Sequence, residues 1–382
     1  MIKILDIYIG KAILFATMIC LFTLVGLSAV IKYVEQLRAV GQGTYGLVEA
    51  LIFVMLKMPR EITIFFPMAA LLGALIGLGA LASSSELVVI QAAGQSRFKI
   101  VLSAMKTAIP MMIVVMLMGE YVAPYTELKA VQLRGESISG QSIIRAQKGV
   151  WAKDKDNFIN IGKVNNGSEL HNVTIYEFSE SQRLVKTTQA RKAIYTDKHW
   201  ELTGINITDF KNDSITVTKQ SQLRWDSTLT PEKLDVVTID PEDLSISGLY
   251  SYITYLDSNK QDAASYELAF WRKIFQPISI GVMVLLALSF VFGPLRTVTM
   301  GARILMGVIA GFTFYLASET FGPISLVYSL PPFLGAVVPS AIFTFIASLM
   351  LLNMMYLCSV DAKMATYLVA IFIAAYKFSI VR

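Results

Sequence analysis

Cysteine and histidine are almost missing from this 382-residue chain, which has only Cys20 and Cys358, His171 and His199. Both cysteines lie inside apolar runs at opposite ends of the sequence, so neither a disulfide framework nor a zinc-ligand spacing can be assembled, and no metal site is expected. Charge is scarce too. Asp, Glu, Lys and Arg make up 16% of residues, against about a quarter in soluble domains. No segment has the form GxxxxGK[ST], so ATP hydrolysis is not expected of this chain itself. Within the long apolar runs the ionisable residues are few, with Lys57, Lys106 and Glu319 near their ends. That leaves little for intramembrane catalysis to use, and no catalytic residue or cofactor is assigned.

What the sequence has instead is apolar length. Hydrophobic residues make up 54% of it, the composition of a membrane protein. Runs near Ile13–Ile31, Ile62–Ala82 and Ile100–Glu120, then Phe270–Phe292, Ile304–Phe321 and Leu334–Cys358, each approach the ~20 residues needed to cross a bilayer. The first run lacks a cleavage signal and reads as an uncleaved helix. Gly73 and Gly77 form a small-xxx-small pair that would let a second helix come close. The formal net charge of +5 reads as membrane orientation, and no nucleic-acid partner is inferred.

Between the two groups of spans the composition turns polar. Short β-type runs at Gly149–Lys153, Phe158–Val164, Val173–Phe178, Lys192–Tyr195, Trp200–Phe210, Ile215–Thr218 and Leu223–Trp225 are separated by turn signals such as Asn165-Asn166-Gly167. They predict an inserted all-β sandwich or jelly roll. The expected organisation is therefore three helices over 1–120, a β domain over 121–269, three helices over 270–358, and an apolar tail over 359–382. Met364–Tyr376 in that tail is too short for a full crossing. Arg296 and Arg303 in one short loop, and Arg97, Lys99 and Lys106 after the second span, place those loops in the cytoplasm and the β domain outside.

Two stretches stand out. Ser83 and Glu86 have the spacing of a capping box ahead of Leu87, Val88, Val89 and Ile90, which predicts a short helix from Ser83 closed by Gly94. Such a helix is either a capped turn between spans or a surface offered to a partner. Lys32, Arg38, Lys57 and Arg60 lie on the outer side against the orientation rule, only partly offset by Glu35, Glu49 and Glu61. They are either snorkelling cations or ligands for an anion such as phosphate.

Several long segments carry a resemblance: IKYVEQLRAVGQGTY from Ile31, FFPMAALLGALIGLGALASSSELVVIQAAG from Phe65, MKTAIP from Met105, GVWAKD from Gly149, LSISGL from Leu244 and KIFQPISIGVMVLLALSFVFGPLR from Lys273. From about residue 1 to 357 the chain resembles the LptF/LptG permease family of the lipopolysaccharide exporter. The resemblance implies a six-span α-helical membrane protein of the bacterial inner membrane with an inserted periplasmic β-jelly roll. It implies an F-type permease paralogue, a dimeric cytoplasmic ABC ATPase that uses the ATP, a single-span jelly-roll protein, a periplasmic bridge protein, and lipopolysaccharide as substrate. Residues 83–96 become a coupling helix, with Glu86, Leu87, Ile90 and Gly94 as its contacts. Lys32 and Arg38, with Arg134 as a further candidate, would face lipid phosphates, while Ala39 stands where the family often has a second base. Leu24, Leu27, Leu305, Val308 and Glu319 become gate candidates. The competing reading is a membrane-anchored receptor or assembly factor whose β domain binds a partner.

Overall fold

The computed structural model describes residues 4–139, 150–154, 157–165, 168–179, 183–196, 199–211, 214–231, 240–292 and 299–353. Cys358, Arg296 and the apolar tail lie outside the described residues. Six helices are long and apolar enough to cross a membrane. They are α1 (Ile4–Gln36), α2 (Leu47–Ser83), α4 (Arg97–Leu117) running on into α5 (Ala123–Ser139), α7 (Ala264–Phe292), α8 (Met300–Val327) and α9 (Pro332–Asn353). The short α3 (Glu86–Ala92) separates α2 from α4.

Most of these helices outrun the apolar stretches that announced them. Hydropathy marks only the part that meets hydrocarbon, whereas the backbone ladder continues until the sequence breaks it. The third span shows the difference. The β domain was expected to begin at residue 121, but the chain passes through a π turn at Met118–Val122 and stays helical to Ser139. Glu127, Leu128, Lys129, Gln132, Leu133 and Arg134 end the hydrophobic run yet are all good helix formers.

The chain divides into two compact units. The first comprises residues 1–25, 62–116 and 275–382. Within it α1 and α2 meet at backbone distance: a Cβ on Gly73 would fall 2.4 Å from the Thr17 Cα, and one on Gly77 2.7 Å from the Ala12 carbonyl oxygen. The expected small-residue pair therefore has its partner, and it is the first helix of the same chain. Lipid tails are as apolar as leucine, so close van der Waals approach is the principal force holding such helices together.

The second unit comprises residues 26–61 and 117–274. It contains six antiparallel strands, β1 (Val150–Asp154), β2 (Asn157–Asn165), β3 (Glu169–Phe178), β4 (Leu184–Thr196), β5 (His199–Lys211) and β6 (Ser214–Trp225), paired in sequence order. The inserted all-β module is present. Among the described residues it is a meander, without the strand exchange between two sheets that marks a jelly roll. The two short runs expected at 215–218 and 223–225 are one strand, because the polar residues between them pair with β5 throughout.

One face of the sheet is apolar. Ile159, Ile161, Leu170, Val173, Trp200, Leu202 and Ile205 are buried against Tyr252, Tyr255 and Leu256 of α6 (Ile246–Ser258). Trp200 Nε1 donates to the Leu229 carbonyl at 2.7 Å, and the Tyr255 hydroxyl donates to the Lys153 carbonyl at 2.7 Å. Helix α6 was not expected within the β domain. Its signals were local: Ser245 caps it by accepting from the Gly248 amide at 3.0 Å, and its buried residues Leu249, Tyr252, Tyr255 and Leu256 recur at helical spacing.

Candidate functional site

In the first unit, α3 begins at Glu86 and not at Ser83. The expected capping box does not form. Ser83 Oγ donates back to the Ala80 carbonyl at 2.8 Å, extending α2, and Ser85 takes the left-handed conformation at φ 61° to turn the chain. Gly94, at φ +83°, does close the helix as expected. Glu86 accepts from the Tyr8 hydroxyl of α1 and from Ser84 Oγ, the latter at 2.9 Å.

Leu87, read from sequence as part of a contact surface, is only 4% exposed. It anchors α3 inward. Ile90 is half-buried, whereas Val88, Val89 and, just beyond, Phe98 are exposed. Sequence reasoning missed these three as surface residues. A seven-residue helix has too few turns for periodicity to tell its inner face from its outer one.

The other candidates of this unit differ in exposure. Leu24 is half-buried, and Leu305 and Val308 are exposed on α8. Glu319 is exposed on the same helix. Arg303, used above as a loop cation, lies within α8, is 6% exposed, and donates to the Gly79 carbonyl at 3.2 Å. It is therefore a buried helix residue and not part of a solvent-facing loop. Asp6 is buried and accepts from Ser103 Oγ and from Lys106 Nζ, the latter at 2.9 Å.

In the second unit the structure gathers the basic residues around α2 and α5. Lys32 Nζ is 3.0 Å from Glu61 Oε1, and Ser28 Oγ donates to the other oxygen of that carboxylate, which is 5% exposed. An anion drawn to Lys32 must therefore compete with a buried carboxylate. Arg38 is exposed in the 3-10 turn Leu37–Ala39 and makes no ion pair among the described residues. Ala39 is buried with Tyr45 and Ala50. Arg134 is exposed, and its guanidinium carbon lies 5.5 Å from the centre of the Phe53 ring, which Lys57 also approaches at 5.1 Å. Leu27, also assigned to this unit, is exposed on α1.

A set of carboxylates found only through the structure completes this region. Lys57 Nζ lies 2.5 Å from Glu127, which is 2% exposed. Arg60 pairs with Glu242 at 3.4 Å and with Asp243 at 2.6 Å, and Arg272 pairs with Glu242 at 2.8 Å. Glu120 accepts from the Ile246 amide at 2.7 Å, and Lys273 Nζ donates to the Leu244 carbonyl. Burial pushes the Asp243 carboxyl up to about 6, with Arg60 pulling it down and Glu127 pushing it further up. Partners up to 182 residues apart leave no spacing to read in the sequence.

Among the described residues no group of His, Cys, Asp and Glu is arranged to hold a metal ion. Spans, β insertion and charged clusters together define a multi-pass helical membrane protein with an inserted β module. The family described as "Lipopolysaccharide export system permease LptF/LptG" matches residues 7–353, and the chain belongs to that family. It is 50% identical over 345 residues to the lipopolysaccharide export system permease protein LptG of Haemophilus influenzae, an alignment covering 90% of this chain and 96% of that protein. Against the LptG protein of Escherichia coli K12 it is 48% identical over 352 residues, covering 91% of this chain and 98% of the other.

Proposed function

We propose that this protein is a permease subunit of a lipopolysaccharide export system. The observation that carries this reading is the family match across residues 7–353, which takes in all six spans and the β module together. An anchored receptor would need only the module. In this reading the chain sits in the bacterial inner membrane with its β module in the periplasm and pairs with an F-type paralogue. A cytoplasmic ABC ATPase dimer drives it, and the lipid passes to a single-span jelly-roll protein and a periplasmic bridge.

The chain has no P-loop, so nucleotide chemistry belongs to the ATPase and this subunit needs no cofactor of its own. The exposed Val88 and Val89 of α3 offer the ATPase an apolar contact, with Ile90 and Gly94 shaping that short helix. Lys32, Arg38 and Arg134 supply cations for the phosphorylated head of the lipid by charge-assisted hydrogen bonds. The apolar side chains of Leu24, Leu27, Leu305 and Val308 face acyl chains or form lateral gates, and Glu319 is a gate candidate on the same helix as the last two. The test is genetic and biochemical. Expressed in cells depleted of their own G-type permease, this chain should restore growth and surface lipopolysaccharide; failure despite full-length membrane expression would overturn the reading.

A further inference from the structure

The carboxylate of Glu86 is already engaged within its own chain. One oxygen accepts from the Tyr8 hydroxyl and the other from Ser84 Oγ. Hydrogen bonds to an ionised acceptor are short, strong and geometrically selective, and two of them reduce what the carboxylate can offer a partner's cation.

The surroundings make the Tyr8 bond mechanically significant. Helix α3 has only seven residues, and a helix of that length has little stability of its own. It is bounded by two left-handed residues, Ser85 at φ 61° and Gly94 at φ +83°. Both positions sit at helix ends, where backbone rotation is readily absorbed. Leu87 is its buried apolar anchor, and a single buried side chain is a weak tie for a whole helix. The Glu86 bond to Tyr8 supplies the missing constraint.

On the other side, the opening turns of α1 are firmly held. Asp6 is bonded to Ser103 and Lys106 of α4, and a Cβ on Gly10 would lie 3.0 Å from Thr107 Oγ1. A displacement imposed on α3 therefore has a direct side-chain route into the first span and onward to the third.

We propose that Tyr8 is the positioning residue of the coupling helix. Its hydroxyl holds Glu86, and through it α3, so that α3 and the first span move as one piece, while the apolar Val88 and Val89 make the docking contact. This rests on reading α3 as the contact with the ATPase.

The test uses the complete transporter, purified with its ATPase and reconstituted with lipopolysaccharide in proteoliposomes. Three variants are compared: Tyr8→Phe, Glu86→Ala and Glu86→Gln. The proposal expects Tyr8→Phe to retain the ATPase on purification but to lose about tenfold in ATP-driven lipid release, within the range of mutations that weaken coupling between sites. Glu86→Ala should show the same loss. Glu86→Gln, whose amide oxygen still accepts from Tyr8, should recover most of it.

Wild-type release by Tyr8→Phe overturns the proposal. So does a Glu86→Gln variant as impaired as Glu86→Ala, which would mean that the negative charge itself is what the partner reads. If Tyr8→Phe fails to assemble, the comparison of the two Glu86 variants decides by the same criterion. Absence of ATP-driven release by the wild-type complex would sink the transport reading, which separates the two failures.

Discussion

At Gly73 the first two helices approach until an added Cβ would sit 2.4 Å from the Thr17 Cα. Further along the same two helices, in the second unit, contact is made by polar side chains, Lys32 and Ser28 on Glu61. The contrast follows from the solvent each segment meets. Hydrocarbon gives no hydrophobic reward for helix contact, so the apolar segments use small residues and close dispersion. Towards the ends of the apolar stretches, buried carboxylates are held by lysines that stay partly exposed. Lys57 and Glu127, Arg60 with Glu242 and Asp243, and Arg272 with Glu242 show how the second unit relies on ion pairs. The first unit packs at small residues and holds the Asp6–Lys106 pair as well, whereas the second sets several charge pairs remote in sequence beside its buried sheet core.

The sharpest way to break this contrast is Gly73→Val. The obstructing atoms include the Thr17 backbone, which a rotamer change cannot move. Overpacking of this kind costs about 3 kcal/mol or more, and the expected result is loss of the folded membrane unit, read as loss of a monodisperse peak in detergent. A folded, stable Gly73→Val protein would show that the close approach is not required.

A smaller effect is expected from Lys57→Ala, which strands the buried Glu127 carboxylate. Leaving a buried polar group without its partner costs about 1–3 kcal/mol, and Lys57 is partly exposed, so water can take its place in part. A lowered thermal midpoint that recovers in the double variant Lys57→Ala with Glu127→Gln is expected. Equal loss in both would mean that Lys57 acts through packing on Phe53.

The smallest effect is a pH slope. Asp243 is raised from 3.8 to about 6, so the folded chain holds that proton more tightly than the unfolded chain. Its contribution to stability is complete below pH about 4 and is lost as pH rises toward about 6. Asp243→Asn should remove this slope from thermal unfolding measured across that window. An unchanged slope would assign it to other carboxylates.

The particular residues show where legibility ended. Six spans were readable because each must present about twenty apolar residues whatever its neighbours are. Gly73 and Gly77 were readable as a close-packing pair, though not the identity of the partner helix. The strands were readable from local β-type runs and turn signals. Helix α5 was not, because its polar composition looked like the start of a soluble domain. In the stretch from Ser83 to Gly94, Gly94 was correctly placed as a terminator, but the helix start and the inward direction of Leu87 were not, since Ser83 satisfies itself on Ala80. The basic residues were visible as exceptions to charge orientation, and Glu61 as an acid near them; Glu127, Glu242 and Asp243 were not.

Sequence alone thus determined the membrane class, the number of crossings, the inserted β module and the family, because these follow from composition, short-range pattern and long matching segments. Only the tertiary structure decided which face of α3 is outward, that Tyr8 reaches Glu86, and that Lys32 rests on Glu61. Those outcomes depend on contacts between residues tens of positions apart, and the geometry that brings them together is a property of the packed chain.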